Sequence, residues 1–238
     1  MDRLYGRNSV LEALRARRRG LSRVLVASSA HHLNDLVALA RQRQISVETV
    51  DHHRLDSLVQ AHHQGVVAEA DPFPYTSFAE LVTNDAPLLL ALDSLQDPQN
   101  FGTLLRTAQA VGVSGVLLPE HRAVGVTPAV SNASAGAVEH LRVARVTNLV
   151  RALGDLKSRG VWIYGLAVEA KQPYWTADLR DGACLVVGSE GAGLGRLVRE
   201  TCDLLVRIPM AAGSVQSLNA SVAGSLVLYE AFRQRSQR

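Results

Sequence analysis

The sequence predicts an α/β protein of two unequal domains, the larger built on a parallel sheet. Three observations carry this. The run LLLALDSL at 88–95 is almost wholly apolar, as a strand buried on both faces of a parallel sheet must be. Short apolar runs then alternate with helix-period segments to the end of the chain, the rhythm of βαβ units. Before that run, Pro72, Pro74 and Pro87 punctuate a polar stretch that reads as a linker. The expected division is an N-terminal domain at 1–70, a linker at 71–87 and a C-terminal domain at 88–238.

In the first domain, Ser9 followed by Glu12 reads as a capping box opening a helix that runs to about Arg19. RVLVAS at 23–28 is an expected strand, 33–43 a helix and ISVETV at 45–50 a strand. Asp51 can cap a third helix to about Ala61, and GVVAEA at 65–70 closes the set. One helical turn is expected near residues 78–82 in the linker. In the second domain strands are expected at 88–95, 113–119, 140–146, 161–167, 184–189 and 204–210. Helices fall at about 101–111, 127–134, 148–159, 194–202 and 218–235.

Composition narrows the class. The 238 residues are 47% hydrophobic and 20% charged, far from a disordered chain. No apolar run approaches the roughly 18 residues of a membrane span, and MDRLYGRNSV lacks an apolar leader core. Cys184 and Cys202 are too few for a disulfide framework or a zinc cage. A cytoplasmic protein with no membrane partner is the expectation. Residues 1–70 carry ten arginines against seven acids, and the rest of the chain is balanced, so the surplus charge lies in the first domain. Arg15, Arg17, Arg18 and Arg19 form the densest run, readable as a phosphate-binding patch or as a solvated face. Six of the eight histidines come as adjacent pairs, 31–32, 52–53 and 62–63. Neighbours on a helix do not face one another, so loop histidines rather than a metal site are expected.

Three loops following expected strands concentrate polar and glycine residues, where ligands bind in open parallel sheets. The first, DSLQDPQNFGTLLR at 93–106, places Asn100 at a helix start and Arg106 about two turns inside, among core-like leucines. An interhelical salt bridge would account for Arg106 equally well. The second, GSEGAGLG at 188–195, has four glycines in eight residues, which permit close backbone approach to a ligand. Val198 stands where a dinucleotide fingerprint needs glycine, and Glu190 disfavours pyrophosphate. The third, IPMAAGSVQSLNAS at 208–221, gathers Ser214, Gln216, Ser217, Asn219 and Ser221 ahead of a long apolar helix. Ser217 or Asn219 can cap that helix, and capping explains only one of the five.

DPQNFGTLLRTAQAVG, LVVGSEGAGL and IPMAAGSVQSLNASVA, in that order, resemble the three signature motifs of the SpoU (TrmH-type) branch of the SPOUT RNA methyltransferases. YGRNSVLEAL, HHQGVVA and SAGAVEHLRVARVTNL resemble the RlmB-type subgroup, which methylates a guanosine ribose in large-subunit ribosomal RNA. The resemblance implies a deep trefoil knot in the C-terminal domain, a homodimer with its active site near the subunit boundary, and a small ribosomal-protein-like RNA-binding domain. It implies S-adenosylmethionine as cofactor, held by backbone around Gly188, Ile208 and Leu218, and no metal. It also implies that Arg106 acts on the ribose 2′-hydroxyl, as a base or as a fixed charge. Asn100 and Ser217 would orient ribose, phosphate or Arg106, Glu190 would fix the loop or the arginine, and Asn219 would hold the third loop. One departure stands out: Ala211 and Ala212 put two residues between Met210 and Gly213 where the family has one. The competing expectations are a non-catalytic RNA-binding or ribosome-assembly protein on the same scaffold, and a ribose methyltransferase acting on transfer RNA or another ribosomal nucleotide.

Overall fold

The computed structural model describes residues 1–82, 86–121, 123–211 and 217–237. In chain order the elements are β1 (Asp2–Tyr5), α1 (Arg7–Ala16), β2 (Leu21–Ala27), α2 (Asn34–Gln42), β3 (Ser46–Val50), α3 (His52–Leu58) and β4 (Val66–Ala70). Then come β5 (Leu88–Asp93), α4 (Pro98–Ala110), β6 (Gly115–Pro119), α5 (Pro128–Ala133), β7 (Val143–Val146), α6 (Leu149–Ser158) and β8 (Trp162–Leu166). The chain closes with β9 (Gln172–Pro173), β10 (Ala183–Gly188), α7 (Arg196–Thr201), β11 (Leu204–Arg207) and α8 (Ala220–Arg235). It divides into two compact units, one made of Met1–Pro74 with Val126–His140, the other of Tyr75–Gly125 with Leu141–Arg238.

The first unit is a four-stranded sheet in the order β1-β4-β2-β3, antiparallel except for the β2–β3 pair. Strand periodicity sends Val24 and Val26 to one face, where they pack with Val10, Leu14 and Leu36, and Leu25 and Ala27 to the other, with Leu55 and Val67. The opening strand is a finding, since a helix near Ser9 was the first element expected. That helix also starts and stops elsewhere. It begins at Arg7 behind Gly6, which provides no side-chain cap, and it ends where Arg17 turns left-handed at φ 57°. Ser9 is buried within it rather than capping it, its hydroxyl 2.8 Å from that of Ser131. Asp51 does cap α3, accepting from the Arg54 amide.

Residues 126–140 depart from the expected division, which gave them to the C-terminal domain. Their chemistry explains the move. Ser131 donates to Glu139, and Glu139 takes both forks of Arg19, one at 3.0 Å and one shorter. Arg19 also reaches Asp2 at 3.0 Å. Sequence proximity to α4 and β6 could not reveal partners about 120 residues upstream.

The second unit is a seven-stranded sheet, β7-β6-β5-β10-β8-β11-β9, with every pair parallel. All six residues of β5 and all six of β10 are buried, so the apolar runs mark the sheet's centre as expected. Asp97 caps α4 with Pro98 in its first turn, and Asn148 caps α6. The short edge strand β9 was not anticipated.

Candidate active site

β5 and β10 are neighbours in the sheet, so the loops leaving their carboxyl ends emerge side by side. Asp97 holds the first turn of α4 by accepting from the Gln99 and Asn100 amides. This leaves the Asn100 carboxamide free to reach across: Nδ2 donates to Glu190 Oε1 at 2.5 Å. Asn219, the N-cap of α8, donates from Nδ2 to the same carboxylate oxygen at 2.7 Å and to Asn100 Oδ1 at 2.8 Å. Its Oδ1 accepts from the backbone of Ser221 and Val222 and from the Ser221 hydroxyl. Asn100, Glu190, Asn219 and Ser221, from three loops far apart in sequence, thus close into one partly exposed polar cluster. Asn219 serves both as cap and as cluster member.

The glycine loop is shaped by contacts that no side chain would tolerate. A Cβ on Gly188 would lie 2.2 Å from the carbonyl carbon of Gly193. Ser189 and Gly193 exchange backbone hydrogen bonds of 3.1 and 3.0 Å, closing a tight turn in which Gly191 and Gly193 have φ of 84° and 65°. The buried carboxylate of Asp93, at the end of β5, accepts from the Gly195 amide at 2.7 Å and pins the far end of the loop.

Beside the cluster lies a cavity of about 490 Å³, the size of a small-molecule site. Gly188, Glu190, Ile208, Ser217, Leu218 and Asn219 all line it. Its wall also includes residues 166–169 at the end of β8, with Glu169 paired to Arg199 at 2.6 Å, which sequence reading did not single out because no motif marks them. Apolar walls at Leu166, Val187, Ile208 and Leu218, alternating with Glu169, Glu190, Arg207 and Asn219, suit a ligand that is part aromatic ring and part polar chain. Asn100 joins the cavity only through Glu190 and Asn219. Arg106 is exposed on α4 and makes no ion pair among the described residues, so the interhelical salt bridge is absent there. Beyond the Asn100 contacts, α4 and α8 are also tied by Thr107 and Ser225, hydroxyl to hydroxyl at 2.8 Å. Ser214, Gln216 and Ala212, the second residue of the unusual pair, lie outside the described residues.

The expected arginine patch of the first unit does not hold together. Arg15 is exposed and paired with Glu12 at 2.7 Å, and Arg17 is exposed beyond the helix end. Arg18 is half-buried, donates to the Pro74 carbonyl and lies over the Phe73 ring. The Arg19 side chain is buried with Glu139 and Asp2 and is corrected here from a phosphate contact to a structural residue. Once α1 ends at Ala16, the following residues no longer share a face with Arg15.

A parallel sheet with a glycine-lined cavity and a carboxamide–carboxylate cluster at its strand ends defines a small-molecule-dependent α/β enzyme. Residues 87–229 match the SpoU rRNA Methylase family, and residues 3–76 match the RNA 2′-O ribose methyltransferase substrate-binding family. The chain is 42% identical over 242 residues to the putative TrmH family tRNA/rRNA methyltransferase YacO of Bacillus subtilis, spanning 99% of this chain and 96% of that one. Its fold is similar to that of the SpoU methyltransferase AviRb of Streptomyces viridochromogenes, with a TM-score of 0.84 and 25% identity, covering 99% and 90% of the two chains. It is also similar to the AdoMet-bound rRNA methyltransferase of Sinorhizobium meliloti, with a TM-score of 0.81 and 25% identity, covering 98% and 87%. The chain belongs to the SpoU methylase family and is an RNA methyltransferase.

Proposed function

We propose that the enzyme methylates the ribose 2′-hydroxyl of a guanosine in large-subunit (23S-type) ribosomal RNA, in the manner of the RlmB-type subgroup. The observation that carries the reading is the Asn100–Glu190–Asn219 cluster on the rim of the glycine-lined cavity, in a chain that also has a substrate-binding domain. S-adenosylmethionine, when bound, supplies a methyl group already activated on a sulfonium. Gly188, Ile208 and Leu218, which line the cavity, would hold it through backbone and apolar contacts. The difficulty left to the protein is the nucleophile, because a ribose hydroxyl is a very weak acid.

Arg106 acts as a fixed positive charge against the ribose oxygen, whose proton passes to solvent water as the methyl group is transferred. Glu190, held by two amide donors, fixes the loop; Asn100 and Ser217 orient the ribose and its phosphate. Asn219 locks the start of α8. On a straight helix a residue six positions on is turned by about 120° and displaced by about 9 Å. Arg106 therefore works from a different flank of α4 than Asn100, which favours a site completed at a subunit boundary. α8 supports the same reading, exposing Val222, Leu226, Tyr229 and Phe232 at spacings of four, three and three. Such a stripe suits a two-fold homodimer interface. The trefoil knot belongs to this reading too, as does a cytoplasmic location; among the described residues no helix is long and apolar enough to cross a membrane. Of the expected patch, Arg15 and Arg17 are the outward arginines left to contact RNA phosphates.

The test is to map 2′-O-methyl groups on ribosomal and transfer RNA from cells lacking the gene and to restore them with purified protein. Loss and restoration at one guanosine of large-subunit RNA is the expected result. A site on transfer RNA would move the substrate, and no missing site with no transfer in vitro would leave a non-catalytic RNA-binding protein. Sedimentation should give a dimer at micromolar concentration.

A further inference from the structure

His63 is the buried member of the histidine pairs, and it organises the loop before β4. Its Nδ1 accepts from the Gly65 amide at 3.0 Å, so the ring proton sits on Nε2, which donates to Asp56 Oδ1 at 3.0 Å. The other oxygen of Asp56 meets His52 Nδ1 at 3.1 Å. These hydrogen bonds, that from His63 foremost, hold the Asp56 carboxyl below its ordinary range. His52, Asp56 and His63 place ligand atoms within 4.8 Å of one another, the spacing of a metal site. A metal would need the Nε2 lone pair of His63, and that nitrogen is protonated while Gly65 occupies Nδ1. The cluster is therefore a hydrogen-bonded clamp.

What it clamps is a loop in an unusual conformation. Gln64 and Gly65 are both left-handed, at φ 53° and 78°, and a Cβ on Gly65 would meet that of Ala30 at 2.5 Å. This backbone turns Gln64 toward the start of α1, where its Oε1 accepts from the Arg7 amide at 2.9 Å in place of the cap that Gly6 lacks. Around it Arg7, Asn8, His31, His62 and Gln64, all exposed, line one open cavity of about 460 Å³. Its lining side chains are a guanidinium, two carboxamides and two imidazoles, with no carboxylate among them.

We propose that this cavity receives an unpaired nucleotide of the RNA substrate, with His31 and His62 stacking on the base, Asn8 and Gln64 reading its edge, and Arg7 meeting phosphate. Proteins recognise single-stranded RNA by this combination of stacking rings and hydrogen bonds to exposed edges. The inference rests on the reading of the chain as an RNA methyltransferase and adds a recognition site within the substrate-binding unit. It separates two roles: phosphate contacts by Arg15 and Arg17 position the RNA, whereas base contacts here select it.

The experiment uses the full chain, a fluorescein-labelled RNA hairpin with an unpaired loop, and a labelled RNA duplex of equal length. The double variant His31→Ala/His62→Ala should bind the hairpin about tenfold or more weakly by fluorescence anisotropy, the scale of removing one stacked ring. Duplex affinity and the salt slope should stay as in the wild type, and His62→Phe, which keeps a ring face, should retain hairpin binding. If the double variant misfolds, His62→Glu must by itself cut hairpin affinity at least as far. Unchanged hairpin affinity, or equal weakening on hairpin and duplex, overturns the inference while leaving methylation by the wild type intact. A wild type that neither binds nor methylates any RNA overturns the methyltransferase reading and this one with it.

Discussion

Two clusters of polar side chains gathered from distant stretches of chain, one in each unit, are built on opposite terms. In the first unit Arg19 and Glu139 are ionic and buried; Ser131, itself held by the Ser9 hydroxyl, donates to Glu139, and Asp2 accepts from Arg19. In the second unit a single carboxylate, Glu190, accepts from two neutral carboxamides on the rim of a cavity. Buried charge is tolerated only when paired and satisfied, so the first cluster is locked and has nothing left to offer a ligand. The second is arranged by two charge-assisted hydrogen bonds at an exposed rim and keeps water and ligand access. Hydrogen-bond density alone, then, does not mark a site. Exposure and a neighbouring cavity do.

Four measurements put this contrast at risk. The largest effect is expected from Arg106→Ala, which should cut turnover by about 10²–10⁴ while S-adenosylmethionine affinity and melting temperature hold. A matching fall in cofactor affinity would move Arg106 out of the reaction. Arg106→Lys then asks whether charge alone suffices, since it keeps the cation and removes the planar fork.

Glu139→Ala should do the reverse. It leaves buried Arg19 with Asp2 as its one remaining acid, so chemical denaturation should report destabilisation of up to about 3–5 kcal/mol, with turnover per folded molecule unchanged. Retained stability would show that water reaches Arg19.

A smaller effect separates the two tasks of Asn219. Asn219→Asp keeps the acceptor that caps α8 but sets a second carboxylate against Glu190, so turnover should fall with little change in melting. Asn219→Ala should additionally cost about 1 kcal/mol of stability through the missing cap. The smallest effect is expected on the surface of the first unit. Arg15→Gln with Arg17→Gln should flatten the dependence of log K on log salt by about 0.7–0.9 for each phosphate no longer neutralised, whereas Arg19→Gln should lower stability and leave the slope alone.

Much of this is legible in the sequence for reasons that can be named. β5 and β10 are central strands, and burial on both faces leaves an unbroken apolar run that local reading detects. Asp51 at the head of α3 is a local signal with a local partner. The three motif loops announce Asn100, Glu190 and Asn219 through their resemblance to the family's signature motifs, since capping alone would account for Asn219. Where local reading fails, the deciding partner is remote. The Ser9–Glu12 capping box gives way to Gly6 and Gln64, because Ser9 finds Ser131 and Glu12 finds Arg15 and His140. The arginines at 15–19 look like one patch until the helix ends inside the run. Asp93 ends a strand without revealing that its carboxylate holds Gly195.

The segment Val126–His140 has one more consequence, concerning the order in which the chain is made. Arg19 leaves the ribosome early, but its partner Glu139 follows about 120 residues later. At roughly 5–20 residues per second that interval is on the order of 6–24 s. During synthesis the nascent first unit therefore has only Asp2 to set against its most buried cation, and translation must run past Glu139 before the second acid arrives.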